Sequence, residues 1–282
     1  MIIGFLGKGG SGKTTMATGF ARFLAHNPDN HVLAIDADHN IDFAYNLGAP
    51  MTMPYFGDSL EDIKQYLAVN NQNALKAMLG KTPEYPYFTI HPQDSYTQKY
   101  SYPLSDNLSL MAAGPLTDAI KFDMSCSHVL FSSLKYYLPL LNVKDNQYAV
   151  VDEKAGTDGV SSGISTGFSA AVIVVEPRPH SIKVAIDIAS MLHFFETPYI
   201  FVGNKIEHDE HAELIKDSLE LVTYFGINSQ WNKGIFTDAQ ELEKFETIYK
   251  KLEEVKTPES ERLYSTRKKI QRNEKYKDDT KK

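Results

Sequence analysis

Apolar residues in this chain fall mostly in short unbroken runs. Ile2-Ile3-Gly4-Phe5-Leu6, Val32-Leu33-Ala34-Ile35, Tyr148-Ala149-Val150-Val151, Ala170-Ala171-Val172-Ile173-Val174-Val175 and Tyr199-Ile200-Phe201-Val202 are such runs, and Leu108 to Gly114 is a looser one. Runs of this kind, closed by Gly, Asp or Pro, read as strands covered on both faces, the signature of a parallel sheet. Between them apolar residues recur at helical spacing. Thr15 to His26 carries Met16, Phe20, Phe23 and Leu24 on one side, and helices are predicted over Leu60 to Val69, Asn73 to Leu79, Val129 to Leu141, Ile182 to Phe195, His211 to Tyr224 and Asp238 to Glu254. Gly226 to Phe236 leaves room for one more short strand. The alternation predicts an α/β fold, a doubly wound, mostly parallel sheet with helices on both faces. Residues 50–106 break the rhythm. They are rich in Tyr, Pro, Asn and Gln, as in Pro83-Glu84-Tyr85-Pro86-Tyr87-Phe88, and an irregular stretch this long predicts a peripheral insertion carrying partner or dimer contacts.

Composition narrows the class. The 282 residues are 42% hydrophobic and 23% charged, enough for one large domain with a sizeable core. No run of 18 apolar residues exists, the N-terminus enters a strand without a basic-then-apolar leader, and a single cysteine, Cys126, excludes an intrachain disulfide framework. These features predict a cytoplasmic protein. The net charge of −7 is unevenly spread: residues 262–282 hold nine Lys/Arg against three Asp/Glu. We therefore expect a domain over residues 1–261 and a basic, polar, solvated tail from Arg262. The tail lacks the broad apolar face of a membrane-targeting helix, and the aromatics of 50–106 lack interleaved Lys/Arg. Neither a membrane nor a nucleic acid is the expected partner.

The chemistry begins after the first strand. Gly7-Lys8-Gly9-Gly10-Ser11-Gly12-Lys13-Thr14 fits G-x-x-x-x-G-K-[ST] between a predicted strand and a predicted helix. Glycines let successive backbone N–H groups turn toward an anion, and the helix N-terminus adds donors and a favourable dipole. Lys13 is placed to reach the β- and γ-phosphates of a nucleotide, and Thr14 to give its hydroxyl to Mg²⁺. Two further strands end in carboxylates, Asp36 and Asp38 on one and Asp152 on another. In a parallel sheet those ends converge where ligands bind.

Lys8 sharpens this picture. The string Lys8-Gly-Gly-Ser-Gly-Lys-Thr resembles the deviant Walker A motif of the MinD, ParA, arsenite-pump, nitrogenase iron protein and CooC ATPases. The resemblance extends to Asp36-Ala-Asp-His-Asn, to Asp152-Glu-Lys-Ala-Gly156, to Glu176-Pro-Arg-Pro-His-Ser181 and to Asn204-Lys205, and looks closest to CooC-type ATPases of nickel insertion. It implies a P-loop ATPase that closes as a homodimer on ATP and Mg²⁺. Gly9, Gly10, Ser11, Gly12, Lys13, Thr14 and Thr15 would bind phosphate, and Thr14 and Asp152 would hold Mg²⁺. Asp38 would orient the attacking water, and Asp36 would sit near the metal shell or serve structure. Gly156 would sense the γ-phosphate through its N–H, Asn204 and Lys205 would line the base pocket, and Lys8 would reach the partner's nucleotide. Here His39 replaces the usual proline and Asp42 an asparagine. CooC proteins also carry a C-x-C metal motif. Here Met124 takes the first position, leaving Cys126 and His128 as the only ligands for a transition-metal site. A buried thiol beside a helix-start histidine is the plainer reading. His208 to His211 reads as a solvated polar loop. Three functions stay open: a CooC-like ATPase serving a metalloenzyme client, a ParA/MinD-like positioning switch, and a nucleotide-dependent binding module with little turnover.

Overall fold

A computed structural model describes residues 1–57, 59–67, 88–116, 131–161, 163–228, 239–262, 264–266 and 268. The predicted strands form at β1 (Ile2–Gly7), β2 (His31–Ala37), β5 (Leu108–Ala112), β7 (Gln147–Glu153), β8 (Ala170–Val175) and β9 (Tyr199–Gly203). Four more are short: β3 (Phe88–Thr89), β4 (Ser101–Pro103), β6 (Leu141–Asn142) and β10 (Leu221–Tyr224). The main sheet has eight strands in the order β10-β9-β8-β1-β7-β2-β5-β4. All neighbours are parallel except β4, which pairs antiparallel with β5. β3 and β6 make a separate parallel pair.

β1 lies between β7 and β8, so the loop leaving it faces the carboxyl ends of both. Register places Asp36 beside Asp152 and Ala37 beside Glu153. The sheet thus delivers the carboxylates of two strands to one end of the molecule.

Helices cover both faces. On one, α1 (Lys13–Ala25) and α9 (Ala239–Val255) pack Phe20, Phe23 and Phe245 against Phe5 and Phe225. Burying side chains such as Phe20 or Phe245 contributes about 1.5–3 kcal/mol each. On the other, α7 (Pro179–Phe194) buries Ile182, Ala185, Ile188 and Leu192. The remaining helices are α2 (Asp42–Leu47), α3 (Leu60–Tyr66), α4 (Ser95–Tyr100), α5 (Leu134–Leu140), α6 (Thr157–Ser161) and α8 (Asp209–Lys216), with a 3₁₀ turn over Ile164–Gly167.

Three expectations change. The helix predicted over His211 to Tyr224 stops as α8 at Lys216, and Leu221–Tyr224 is the edge strand β10 beside β9. The branched and aromatic residues Val222, Thr223 and Tyr224 fit an extended edge better than a helix. The described parts of 50–106 are not peripheral. Phe56, Ile63, Leu67, Phe88, Ile90 and Tyr96 are buried in the same core as α7, and β4 completes the main sheet. Aromatics that read as surface contacts are core because Phe88, Tyr96 and Tyr137 pack ring on ring. The helix predicted over Asn73 to Leu79 lies outside the described residues, as does most of the stretch from Gly226 to Phe236.

The third concerns Arg262, expected in a solvated tail. Its side chain is buried. Nη1 donates to the carbonyls of Leu138 at 3.0 Å and Pro139 at 3.4 Å, and Nη2 donates to that of Leu141. Glu259 accepts two further bonds at 2.7 Å. The guanidinium caps the C-terminal end of α5, where Leu138 O also accepts the Leu141 N–H. Thr266 is also buried and donates to the Thr166 carbonyl at 3.0 Å.

Candidate nucleotide-binding site

The loop between β1 and α1 is built on its glycines. Gly10 and Gly12 have φ of 82° and 94°, which an L side chain rarely adopts. A Cβ on Gly12 would also lie 2.1 Å from Asn204 Nδ2. The loop closes on itself through Ser11 N–H to the Lys8 carbonyl at 3.0 Å and opens α1 through Met16 N–H to the Gly12 carbonyl at 2.9 Å. Ser11 is fully buried and its Oγ has no hydrogen-bond partner among the described residues. α1 carries no acidic residue in its first turn and no side-chain cap, so its N-terminal donors face the loop.

Lys13 and Thr14 converge on one carboxylate. Lys13 Nζ lies 3.2 Å from Asp152 Oδ1, and Thr14 Oγ1 donates to Asp152 Oδ2 at 2.7 Å. Lys13 also stands 3.9 Å from Asp38 Oδ2. Burial opposes the charge on Lys13, but Asp152 and Asp38 outweigh it and its pKa lies above the ordinary value. Burial likewise outweighs Lys13 at Asp152, whose pKa is raised. The cluster therefore holds one cation among several crowded carboxyls. Such a site is suited to accept a divalent cation, which supplies the missing positive charge.

Asp36 is fully buried and ties the strand end together. It accepts Asp38 N–H at 3.1 Å and Ala44 N–H at 2.9 Å, anchoring the first turn of α2. Burial and the Asp152 charge push its pKa to about 8. Its carboxyl serves structure, one of the two parts the sequence offered. Asp38 stays near the surface of the cluster, with His39 Nδ1 at 3.3 Å and Asn40 N–H at 3.2 Å on its Oδ1.

The expected γ-phosphate sensor and the expected base-pocket asparagine hold the loop instead of facing open space. Gly156 N–H donates to the Gly7 carbonyl at 2.8 Å. Asn204 Nδ2 donates to the Ser11 carbonyl at 2.8 Å. A contact from Gly156 N–H to a nucleotide would require its bond to be exchanged, whereas Asn204 keeps a second amide N–H and its Oδ1 for one. Lys205, at φ 60°, lays its ammonium on the Gly10 carbonyl. Gly9 is exposed, with the Ala155 side chain 3.6 Å from where its Cβ would stand, and Thr15 is half-buried in the first turn of α1.

The donors and the empty-sided glycine loop fit a nucleoside phosphate, and the Thr14–Asp152 pair fits its cation. A family model, the CobQ/CobB/MinD/ParA nucleotide binding domain, matches residues 2–231. The chain belongs to this family. The chain is 29% identical over 223 residues to an uncharacterized ATP-binding protein of Methanocaldococcus jannaschii, covering 78% of this chain and 84% of that protein. Solved structures share the fold. A protein assigned to plasmid partition in Borrelia burgdorferi, bound to AMPPNP, superposes with a TM-score of 0.58 at 16% identity, over 90% of this chain and 98% of that one. The McdA–ATP complex of Cyanothece gives 0.58 at 16% identity, over 91% and 97%. A ParA family ATPase of Chlorobium tepidum gives 0.52 at 18%, over 88% and 90%.

Cys126 and His128 lie outside the described residues. Among the described residues no three His, Cys, Asp or Glu side chains group as metal ligands, and no helix is long and apolar enough to cross a membrane. The sequence reading gave no role to Glu176, Glu153 or the Arg262 side chain. Glu176 was visible within E-P-x-x-x-S, and the spacing has a reason: Glu176 N–H donates to Ser181 Oγ at 3.2 Å. Glu153 carried no signal. It is buried on the far face from Asp152, its Oε1 unpartnered among the described residues and its pKa raised by burial.

Proposed function

We propose that this protein is a Mg²⁺-dependent ATPase whose nucleotide controls association of two copies of the chain. The observation that carries the reading is the convergence of Lys13 Nζ and Thr14 Oγ1 on Asp152 at 3.2 and 2.7 Å. Backbone N–H groups of Gly9 to Thr15 hold the phosphates, and Lys13 turns from Asp152 toward the β,γ-bridge. Thr14 and Asp152 hold the cation, which when bound neutralises charge on those phosphates. Asp38, at the rim of the cluster, positions water for in-line attack. Lys8 reaches the nucleotide of the second copy, where it offsets charge developing on the phosphates. Asn204 and Lys205 border the base, and Gly156 N–H changes partner from Gly7 to the γ-phosphate.

The experiment is steady-state phosphate release with Mg-ATP and Mg-GTP, paired with sedimentation velocity. Wild type should turn over slowly and form dimers with ATP. Asp38→Ala should lose turnover yet keep ATP-dependent dimers, and Lys8→Ala should lose both. Turnover that Asp38→Ala leaves intact would refute its role. ATP binding without hydrolysis in wild type would instead favour a binding module.

The finer role turns on the partner. The ParA/MinD-type positioning reading shares the fold with the solved structures above, and the CooC-type reading rests on the sequence motifs alone. Equilibrium dialysis of the dimer with Ni²⁺ and Zn²⁺ separates them: no binding, with Cys126→Ser behaving as wild type, removes the metal-handling role.

A further inference from the structure

The carboxylate of Glu176 follows β8 directly and is almost wholly buried, with 4% of its side chain exposed. Its backbone is fixed by Ser181 Oγ and by Arg178 N–H on its carbonyl at 2.7 Å. The carboxylate faces two ammonium groups from different parts of the chain. Lys8 Nζ lies 3.4 Å from Oε1 and Lys205 Nζ lies 3.3 Å from Oε2. The same ammonium groups rest on loop carbonyls, Lys8 on Gly9 at 3.2 Å and Lys205 on Gly10. One buried anion therefore holds both lysines down along the rim of the loop. The distances exceed the roughly 2.8 Å of a strong charge-assisted bond, and both lysines remain partly exposed, so either contact is exchangeable.

We infer that Glu176 is a positioning residue that latches Lys8 and Lys205 against the loop of the isolated chain and competes with delivery of Lys8 to a second copy. This rests on the dimeric ATPase reading above. The physical reason is charge balance. Two cations share one carboxylate, so the site can release one and keep its anion paired. In the dimeric reading Lys8 is the one that leaves, toward the second copy, and Lys205 then takes Glu176 alone. The latch makes dimerisation wait for nucleotide instead of occurring whenever two copies meet.

The test uses the full nucleotide-free chain and needs no activity. Amine acetylation is followed residue by residue by mass spectrometry, with exposed Lys250 as reference. Glu176→Gln should raise the rates at Lys8 and Lys205 several-fold and leave Lys13, which is paired with Asp152 and Asp38, unchanged. Lys205→Met should slow Lys8, because Glu176 then serves one cation. An unchanged Lys8 rate in folded Glu176→Gln overturns the inference, and so does a faster Lys8 in Lys205→Met. If Glu176→Gln fails to fold, the second variant carries the test. In sedimentation, Glu176→Gln should reach half-maximal dimer at roughly two- to fivefold lower ATP, and a higher requirement overturns the latch. If the labelling responds but wild type never dimerises with ATP, the pairing of Glu176 with both lysines stands, and its control of dimerisation falls with the proposed function.

Discussion

Removing Lys13 should destabilise the nucleotide-free protein, while neutralising its main partner should not. Lys13 stands 3.2 Å from Asp152 and 3.9 Å from Asp38, with 9% of its side chain exposed. At an effective dielectric of about 20, each contact is worth about 4–5 kcal/mol of Coulomb energy before the cost of desolvating the ammonium. Lys13→Met deletes both and leaves Asp152 buried beside Asp36. Breaking one side of a buried pair typically costs about 3–5 kcal/mol. Asp152 has an escape, because burial has already raised its pKa and it can take a proton. We therefore expect a loss of about 2–4 kcal/mol at pH 7.5, or a fall of roughly 4–16 °C in melting temperature for a chain of this size. Asp152→Asn removes one negative charge from the crowd, keeps an oxygen for Thr14, and leaves Lys13 with Asp38. Its stability should equal or exceed wild type. Both variants should lose the stabilisation that Mg-ATP gives the wild type. The assay is urea and thermal unfolding in EDTA, then with Mg-ATP. The reasoning fails if Lys13→Met melts at or above wild type in EDTA, or if Asp152→Asn melts well below it.

Arg262→Ala should cost about 2–4 kcal/mol, because the Leu138, Pro139 and Leu141 carbonyls lose a charged donor in a buried site. Arg262→Lys should recover only part, a single ammonium being unable to span that fork, and urea midpoints decide it. Asp36→Asn should make stability without nucleotide fall less, or rise more, between about pH 4 and 8 than it does in wild type. Asp36 has a folded pKa of about 8 and Asp152 and Glu153 are also raised, so these carboxyls contribute stability that is lost between about pH 4 and 8, while the buried Met1 ammonium, lowered to about 5, acts in the opposite sense over pH 5 to 8. Urea unfolding of both proteins at several pH values would show it, and an unchanged slope would count against a buried protonated Asp36. Gly12→Ala should abolish nucleotide binding, since its Cβ would meet Asn204 Nδ2 at 2.1 Å at a φ of 94°. Retained affinity for a fluorescent ATP analogue would show that the loop can rearrange.

The sheet, the helix faces and the phosphate loop were legible because each is local. Buried parallel strands announce themselves as unbroken apolar runs, and a glycine loop between strand and helix has one conformational purpose. Asp36, Asp38 and Asp152 could be placed at one end of the sheet from strand direction alone. What only the tertiary structure decided is pairing across long separations. Glu176 meets Lys8 from 168 residues away, and Arg262 meets Leu138 from 124. Nothing in the local pattern distinguishes a carboxylate that holds two loop lysines from one at an ordinary strand end. Nor does a basic stretch reveal that its first arginine closes a helix. The irregular stretch at 50–106 misled for the same reason: Phe88, Tyr96 and Tyr137 become core only when β3, α4 and α5 are brought together. Side-chain burial there follows from contact between distant segments, a property that periodicity within any one segment does not encode.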